Sequence, residues 1–133
     1  MKPDKKEICL TEESILSDIQ NSFTTFYPFL KIEFLQADSP YTSLKSASMH
    51  TFTPLKQLTK INRAQNINVD NERTVAEVSN DFENLLGLTI AVSRKSGKVW
   101  NVISVTESWT LESQNTAAQY ISAIMTAPPE LDQ

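Results

Sequence analysis

Residues 74–105 read TVAEVSNDFENLLGLTIAVSRKSGKVWNVISV, and this stretch decides the fold. Thr74 and Glu77 have the spacing of a capping box: a threonine hydroxyl accepts from the third helical N–H, and a glutamate reaches back to the N–H of the cap. Val75, Val78, Phe82, Leu85 and Leu86 follow at helical spacing and predict one buried stripe. Gly87 stands where a helix-ending residue turns left-handed, which glycine does without a Cβ penalty. From Leu88 to Arg94 the period changes to two, with Leu88, Ile90 and Val92 inward and Thr89, Ala91 and Ser93 outward or half-covered. Lys95, Ser96 and Gly97 form a hairpin turn, and a second strand runs from Lys98 to Val105. Val99, Ile103 and Val105 share one face of that strand, and Trp100 and Val102 the other. Apolar residues on both faces predict a strand covered twice, or one whose outer face meets a partner.

Downstream, Thr110 is placed to cap a last helix whose buried face is marked by Leu111, Ala118, Ile121 and Met125, with Pro128 and Pro129 as its stop. Upstream, Thr11 is the expected cap of a first helix. Glu12 and Glu13 suit its positive end, and Leu10 and Ile15 have staple spacing. Its stripe is Ile15, Leu16, Ile19, Phe23 and Phe26, and Pro28 ends it. Phe29 to Leu35 alternates as a strand. Residues 36–53 read as a polar loop anchored by Tyr41, Leu44, Met49 and Phe52. Residues 54–61 have the spacing of a short helix, and residues 66–69 of a brief strand. No internal repeat, linker or low-complexity block is evident. The expected fold is one α+β domain over residues 1–133, in the order α–β–(short elements)–α–β–β–α, with helices on a small, mainly antiparallel sheet and frayed ends at about 1–9 and 128–133.

The bulk numbers agree with a chain that buries a core: 133 residues, 40% hydrophobic and 21% charged. The net charge of −4 disfavours nucleic acid and anionic membranes, which carry the same sign. The single cysteine, Cys9, permits no internal disulfide, and the N-terminal residues lack the apolar run of a secretory signal. No stretch is apolar enough to span a bilayer. These observations predict a soluble, cytoplasmic protein.

The segments Thr74-Val75-Ala76-Glu77, Leu86-Gly87-Leu88, Val92 to Gly97, Trp100, and Thr106 to Asn115 occur in that order. Together they resemble a bacterial family of small proteins whose pattern runs TVxELE, FGLxVxVxRKSG, W and TxxWTLxxQN. The resemblance covers residues 74–116. Val78, Ser79 and Leu86 depart from it. It implies an α+β fold and a bacterial cytosolic setting, and no activity is assigned to that family.

Catalytic chemistry finds little to work with. His50 and Cys9 are the only histidine and the only thiol, too few for a zinc site and far apart in sequence for a nucleophile and its base. Glu12, Glu13 and Glu77 are explained by helix starts, and Asp81 and Glu83 by a solvated helix face. Ser96-Gly97-Lys98 lacks the second glycine and the following helix of a phosphate loop. No cofactor or metal is expected. The most suggestive constellation is Arg94, Lys95 and Lys98 around the turn, with Trp100 and Trp109 nearby, because cations beside an exposed aromatic suit a phosphate, a carboxylate or an acidic segment. The plain alternative is a solvated basic turn with both tryptophans packed away. Gln114 and Asn115, in the first turns of the last helix, can serve either a ligand or the loop carrying Trp109.

The expected function is a non-enzymatic interaction module, a subunit of a bacterial cytosolic assembly or a homodimer through the Trp100 and Val102 face. The alternative is a small-ligand or anion-binding domain, or an enzyme, using Arg94, Lys98 and Trp109. Its signature would be a concave pocket where those side chains converge. Nucleic-acid binding through the basic hairpin is the least favoured.

Overall fold

At the start of helix α2 (Val75–Leu86), the Thr74 hydroxyl accepts from the Glu77 N–H at 3.1 Å, and the Glu77 carboxylate accepts from the Thr74 N–H at 2.9 Å. This capping box contributes on the order of 1 kcal/mol. Gly87 closes the helix at φ 67°. Strand β4 (Thr89–Ser96) follows, turns at Gly97 with φ 69°, and returns as β5 (Val99–Val102).

The computed structural model describes residues 5–35, 53–60 and 63–126. Ahead of α2 lie β1 (Glu7–Leu10), α1 (Leu16–Phe26), β2 (Leu30–Leu35), a 3₁₀ turn at Leu55–Gln57 and β3 (Gln65–Asn68); α3 (Leu111–Thr126) follows β5. The strands form two antiparallel sheets, β1–β3 and β2–β4–β5, so the fold is α+β as expected. The helices pack on one face of the larger sheet. Leu30, Ile32, Phe34, Ile90 and Val92 join Leu16, Ile19, Phe23, Val78 and Phe82 in one buried cluster, and the Phe34 and Phe82 rings meet edge to face. The free edge of β2 is sealed by α1: the Gln20 amide donates to the Ile32 carbonyl at 2.8 Å and the Thr24 hydroxyl to the Leu30 carbonyl at 3.1 Å.

A repeat is present after all. Ile8, Leu10, Leu16, Ile19 and Phe23 recur at identical spacing as Ile67, Val69, Val75, Val78 and Phe82, and all ten are buried. Each set runs strand, turn, helix, strand, and the two copies pair antiparallel through β1 with β3 and β2 with β4. The same spacing returns in Ile103, Val105, Leu111, Gln114 and Ala118, with α3 as its helix. The first residue before each helix (Ile15, Thr74, Thr110) makes an isolated bridge: Ile15 with Pro54, and Thr74 with Thr110. The repetition is chiefly one of spacing: the first two copies are apolar at all five positions and identical at two, Ile8 with Ile67 and Phe23 with Phe82, while the third copy carries Gln114 at the fourth.

Several boundaries differ from the sequence reading. Residues 7–9 fall in the stretch read as frayed, yet with Leu10 they form β1, and Ile8 and Leu10 are buried because β1 pairs with β3. Helix α1 begins at Leu16 rather than after Thr11. The Ser14 N–H donates to the Thr11 carbonyl, while Ser14 and Glu12 carbonyls accept from Leu55 and Lys56, so residues 11–14 form a turn bound to the segment at 54–56. That segment makes one 3₁₀ turn in place of the helix expected over 54–61. Leu85 lies at the margin of the α2 stripe and is exposed. β4 extends to Ser96, and β5 ends at Val102, leaving Val105 91% exposed. On α3 the buried face is Leu111, Gln114, Ala118 and Ser122; Ile121 and Met125, read as buried, are exposed. The readings on Tyr41, Leu44, Met49, His50, Phe52, Ile61, Pro128 and Pro129 lie outside the described residues.

Candidate functional site

The β4–β5 hairpin presents two chemically different faces. On the face away from the helices, Lys95 pairs in register with Trp100 and Ser93 with Val102. Trp100 is half-buried there beneath two ammonium groups, Lys31 at 4.9 Å and Lys95 at 5.9 Å from the ring centroid. Lys98 is exposed at the turn.

Arg94 and Ser96 point to the helix side. The Arg94 guanidinium donates from Nη1 to Gln114 Oε1 at 3.2 Å. Gln114 is fully buried, and its amide nitrogen donates to both the carbonyl and the hydroxyl of Thr106, at 2.6 and 2.9 Å. With the amide hydrogens committed to Thr106, the carbonyl oxygen is left for Arg94. Asn115 acts elsewhere: its side-chain oxygen accepts from the Phe29 N–H at 2.8 Å and ties α3 to the start of β2. The Ser122 hydroxyl accepts from the Gly97 N–H at 3.0 Å and donates to the Lys95 carbonyl at 3.1 Å, clamping α3 onto the hairpin end. These bonds satisfy buried polar groups that would otherwise be costly.

Between β4 and α3 lies a pocket of about 290 Å³ lined by Arg94, Ser96, Trp109, Ala117, Ala118 and Ile121. Trp109, in the loop before α3, is 44% exposed and forms one wall. A second, more open depression of about 510 Å³ runs along α3 past Glu112, Ser113, Thr116, Ala117 and Tyr120. Of the seven residues singled out in the sequence, Arg94, Trp109 and Gln114 therefore come together. Lys95 and Trp100 occupy the opposite sheet face, Lys98 does not line the pocket, and Asn115 is engaged with Phe29.

Ser96, Ala117 and Ile121 were missed by the sequence reading. Ser96 follows Arg94 by two on a strand and so shares its face; Ala117 and Ile121 are one helical turn apart. That signal was masked by assigning Ile121 to the core. Among the described residues, all but one of the exposed large apolar side chains lie between Val99 and Met125: Val99, Val102, Val105, Trp109, Tyr120, Ile121, Ile124 and Met125, with Leu85 the exception. Ala117, Tyr120, Ile121, Ile124 and Met125 recur at i, i+3, i+4, i+7 and i+8, a second stripe on α3 that no described residue covers enough to bury.

Among the described residues, no group of His, Cys, Asp and Glu is arranged to hold a metal ion, and no helix is long and apolar enough to cross a membrane. Cys9 is exposed, and its thiol lies 3.1 Å from the Asn66 side-chain oxygen. Compared with family models, curated proteins and solved structures, the chain matches none.

Proposed function

We propose that this chain is a protein-interaction module, a subunit of a bacterial cytosolic assembly that docks through the outer face of α3 and works by contact rather than by catalysis. The observation that carries this reading is the exposed apolar stripe on α3. Tyr120 and Ile124 are 67% and 56% exposed on a helix whose opposite side is already packed against β4. Contiguous apolar surface of this kind is unusual on a monomer and common at interfaces. The two depressions that meet at Ala117 supply holes on either side of the stripe for a partner's side chains.

This reading moves the docking surface from the Trp100 and Val102 face to α3. On the former, Lys31 and Lys95 lie over the indole and make the face less favourable to bury. Sedimentation of the purified chain, combined with pull-down from its native cytosol, tests the proposal. A discrete self-associated species or a specific partner, lost on substitution of Ile124, is the expected result. A chain that stays monomeric and partnerless at high micromolar concentration counts against it.

A further inference from the structure

The pocket floored by Arg94 has a chemistry separate from that of the stripe. Arg94 is half-buried and carries several N–H donors, and its one partner among the described residues is the neutral oxygen of Gln114. Lys5, Lys31, Lys56 and Arg73 each stand within ion-pair distance of a described carboxylate, and Arg94 does not. No carboxylate among the described residues pairs with this guanidinium, and an anion entering the pocket would supply such a partner. A second donor stands beside it. The Ser96 hydroxyl accepts from the Asn101 amide at 3.2 Å, which leaves its own O–H to donate.

The remaining lining selects among anions. Trp109, Ala117, Ala118 and Ile121 are apolar walls suited to a hydrocarbon or aromatic body. Arg94 is the one charged residue of the lining: Lys95 is on the other sheet face and Lys98 is at the turn. A single guanidinium matches a single negative charge, whereas a phosphate dianion calls for further cations. A volume of about 290 Å³ sits at the small end of the roughly 300–1,000 Å³ usual for ligand sites.

We propose that this pocket binds a small monocarboxylate with an aromatic or hydrocarbon body, the carboxylate on Arg94 and Ser96 and the body against Trp109. Gln114 is the positioning residue that holds the guanidinium in place through its anchorage on Thr106. The proposal rests on Arg94 and is separable from protein docking, because substitution of Ile124 leaves the charge untouched.

The test is a titration of the nitrogen-15-labelled chain, followed on the two tryptophan indole N–H signals and assigned with a Trp100→Phe variant. The probes are benzoate, its neutral isostere benzamide, and inorganic phosphate. Benzoate should move the Trp109 signal saturably and leave the Trp100 signal in place. Benzamide should bind about tenfold more weakly or worse, since it forfeits a charge-assisted hydrogen bond worth at least that factor. Phosphate should also bind more weakly than benzoate, since it has no apolar body to lie against Trp109 and Ile121. Arg94→Gln should lose the benzoate response by about the same factor with an otherwise unchanged spectrum. Should that variant unfold, the benzoate and benzamide pair on the unaltered chain decides alone. Equal affinity for benzoate and benzamide, tighter binding of phosphate, or an unmoved Trp109 signal up to about 10 mM benzoate overturns the proposal.

Discussion

Helices α2 and α3 occupy the same frame and solve it in opposite ways. In α2 the positions at first, fourth and eighth place are Val75, Val78 and Phe82, and all three bury hydrocarbon. In α3 they are Leu111, Gln114 and Ala118. Small and polar residues at the contact let α3 lie close to the hairpin, where Gln114, Asn115 and Ser122 fasten it by hydrogen bonds to Thr106, Phe29, Gly97 and Lys95. The apolar residues of α3 are then left on the outside. One helix is held by grease and shows a polar surface; the other is held by polar clamps and shows grease. The difference separates a helix that serves the core from one positioned to meet something else.

The contrast can be broken most forcefully at Phe82. Phe82→Ala removes a fully buried ring in edge contact with Phe34 and should cost about 3–5 kcal/mol in urea denaturation. A loss under about 1 kcal/mol would mean that α2 is not the core helix described here. Gln114→Leu gives α3 the apolar residue type that Ile19 and Val78 supply in the other copies. If the polar clamp matters, this hydrophobic replacement destabilises by about 1–3 kcal/mol, because the Thr106 carbonyl loses its donor. A stabilised variant would show that α3 obeys the same rule as α2.

Most of α2 and its hairpin was legible, because their signals are local. A capping box, a left-handed glycine and a change of period need no knowledge of distant residues. The N-terminal helix start was not legible. Thr11, Glu12 and Glu13 look like a cap and a first turn, but Thr11 closes a turn with Ser14, and the Glu12 and Ser14 carbonyls are bound to Lys56 and Leu55, a tertiary choice that local pattern does not encode. β1 was missed because four residues, Glu7 to Leu10, are too short to show a period, and their burial depends on β3. The repeat was hidden because its first two copies share spacing but few identities, Ile8 with Ile67 and Phe23 with Phe82, and the third copy places Gln114 at an apolar position. On α3 the two stripes compete, and hydrophobicity alone selects Ile121 and Met125, while the helix buries Gln114 and Ser122. Arg94 and Trp109 were singled out in one group and Gln114 in another; the fold brings Gln114 to Arg94 and sets Trp109 across the pocket from it. Which face of the sheet each would occupy followed for Arg94, Lys95 and Trp100 only once the register was known.

A smaller effect sharpens the same comparison at the two glycines. Gly87 and Gly97 both have positive φ, so an alanine at either is strained by about 1–2 kcal/mol. A Cβ at Gly87 meets nothing within 4 Å, whereas at Gly97 it would sit 3.2 Å from the Met125 Cβ. Gly97→Ala should therefore lower the melting temperature more than Gly87→Ala. Equal losses would show that α3 does not press on the hairpin turn.

Substitution of Ile124 by Asp, measured at once by thermal melting and by sedimentation, bears most directly on the role given to α3. Ile124 is 56% exposed, so the change should move stability by no more than about 0.5 kcal/mol while abolishing self-association or partner capture seen with the unaltered chain. A melting temperature that falls as it does for Phe82→Ala would show that the stripe belongs to the core. Association that survives the introduced charge would show that the docking face lies elsewhere.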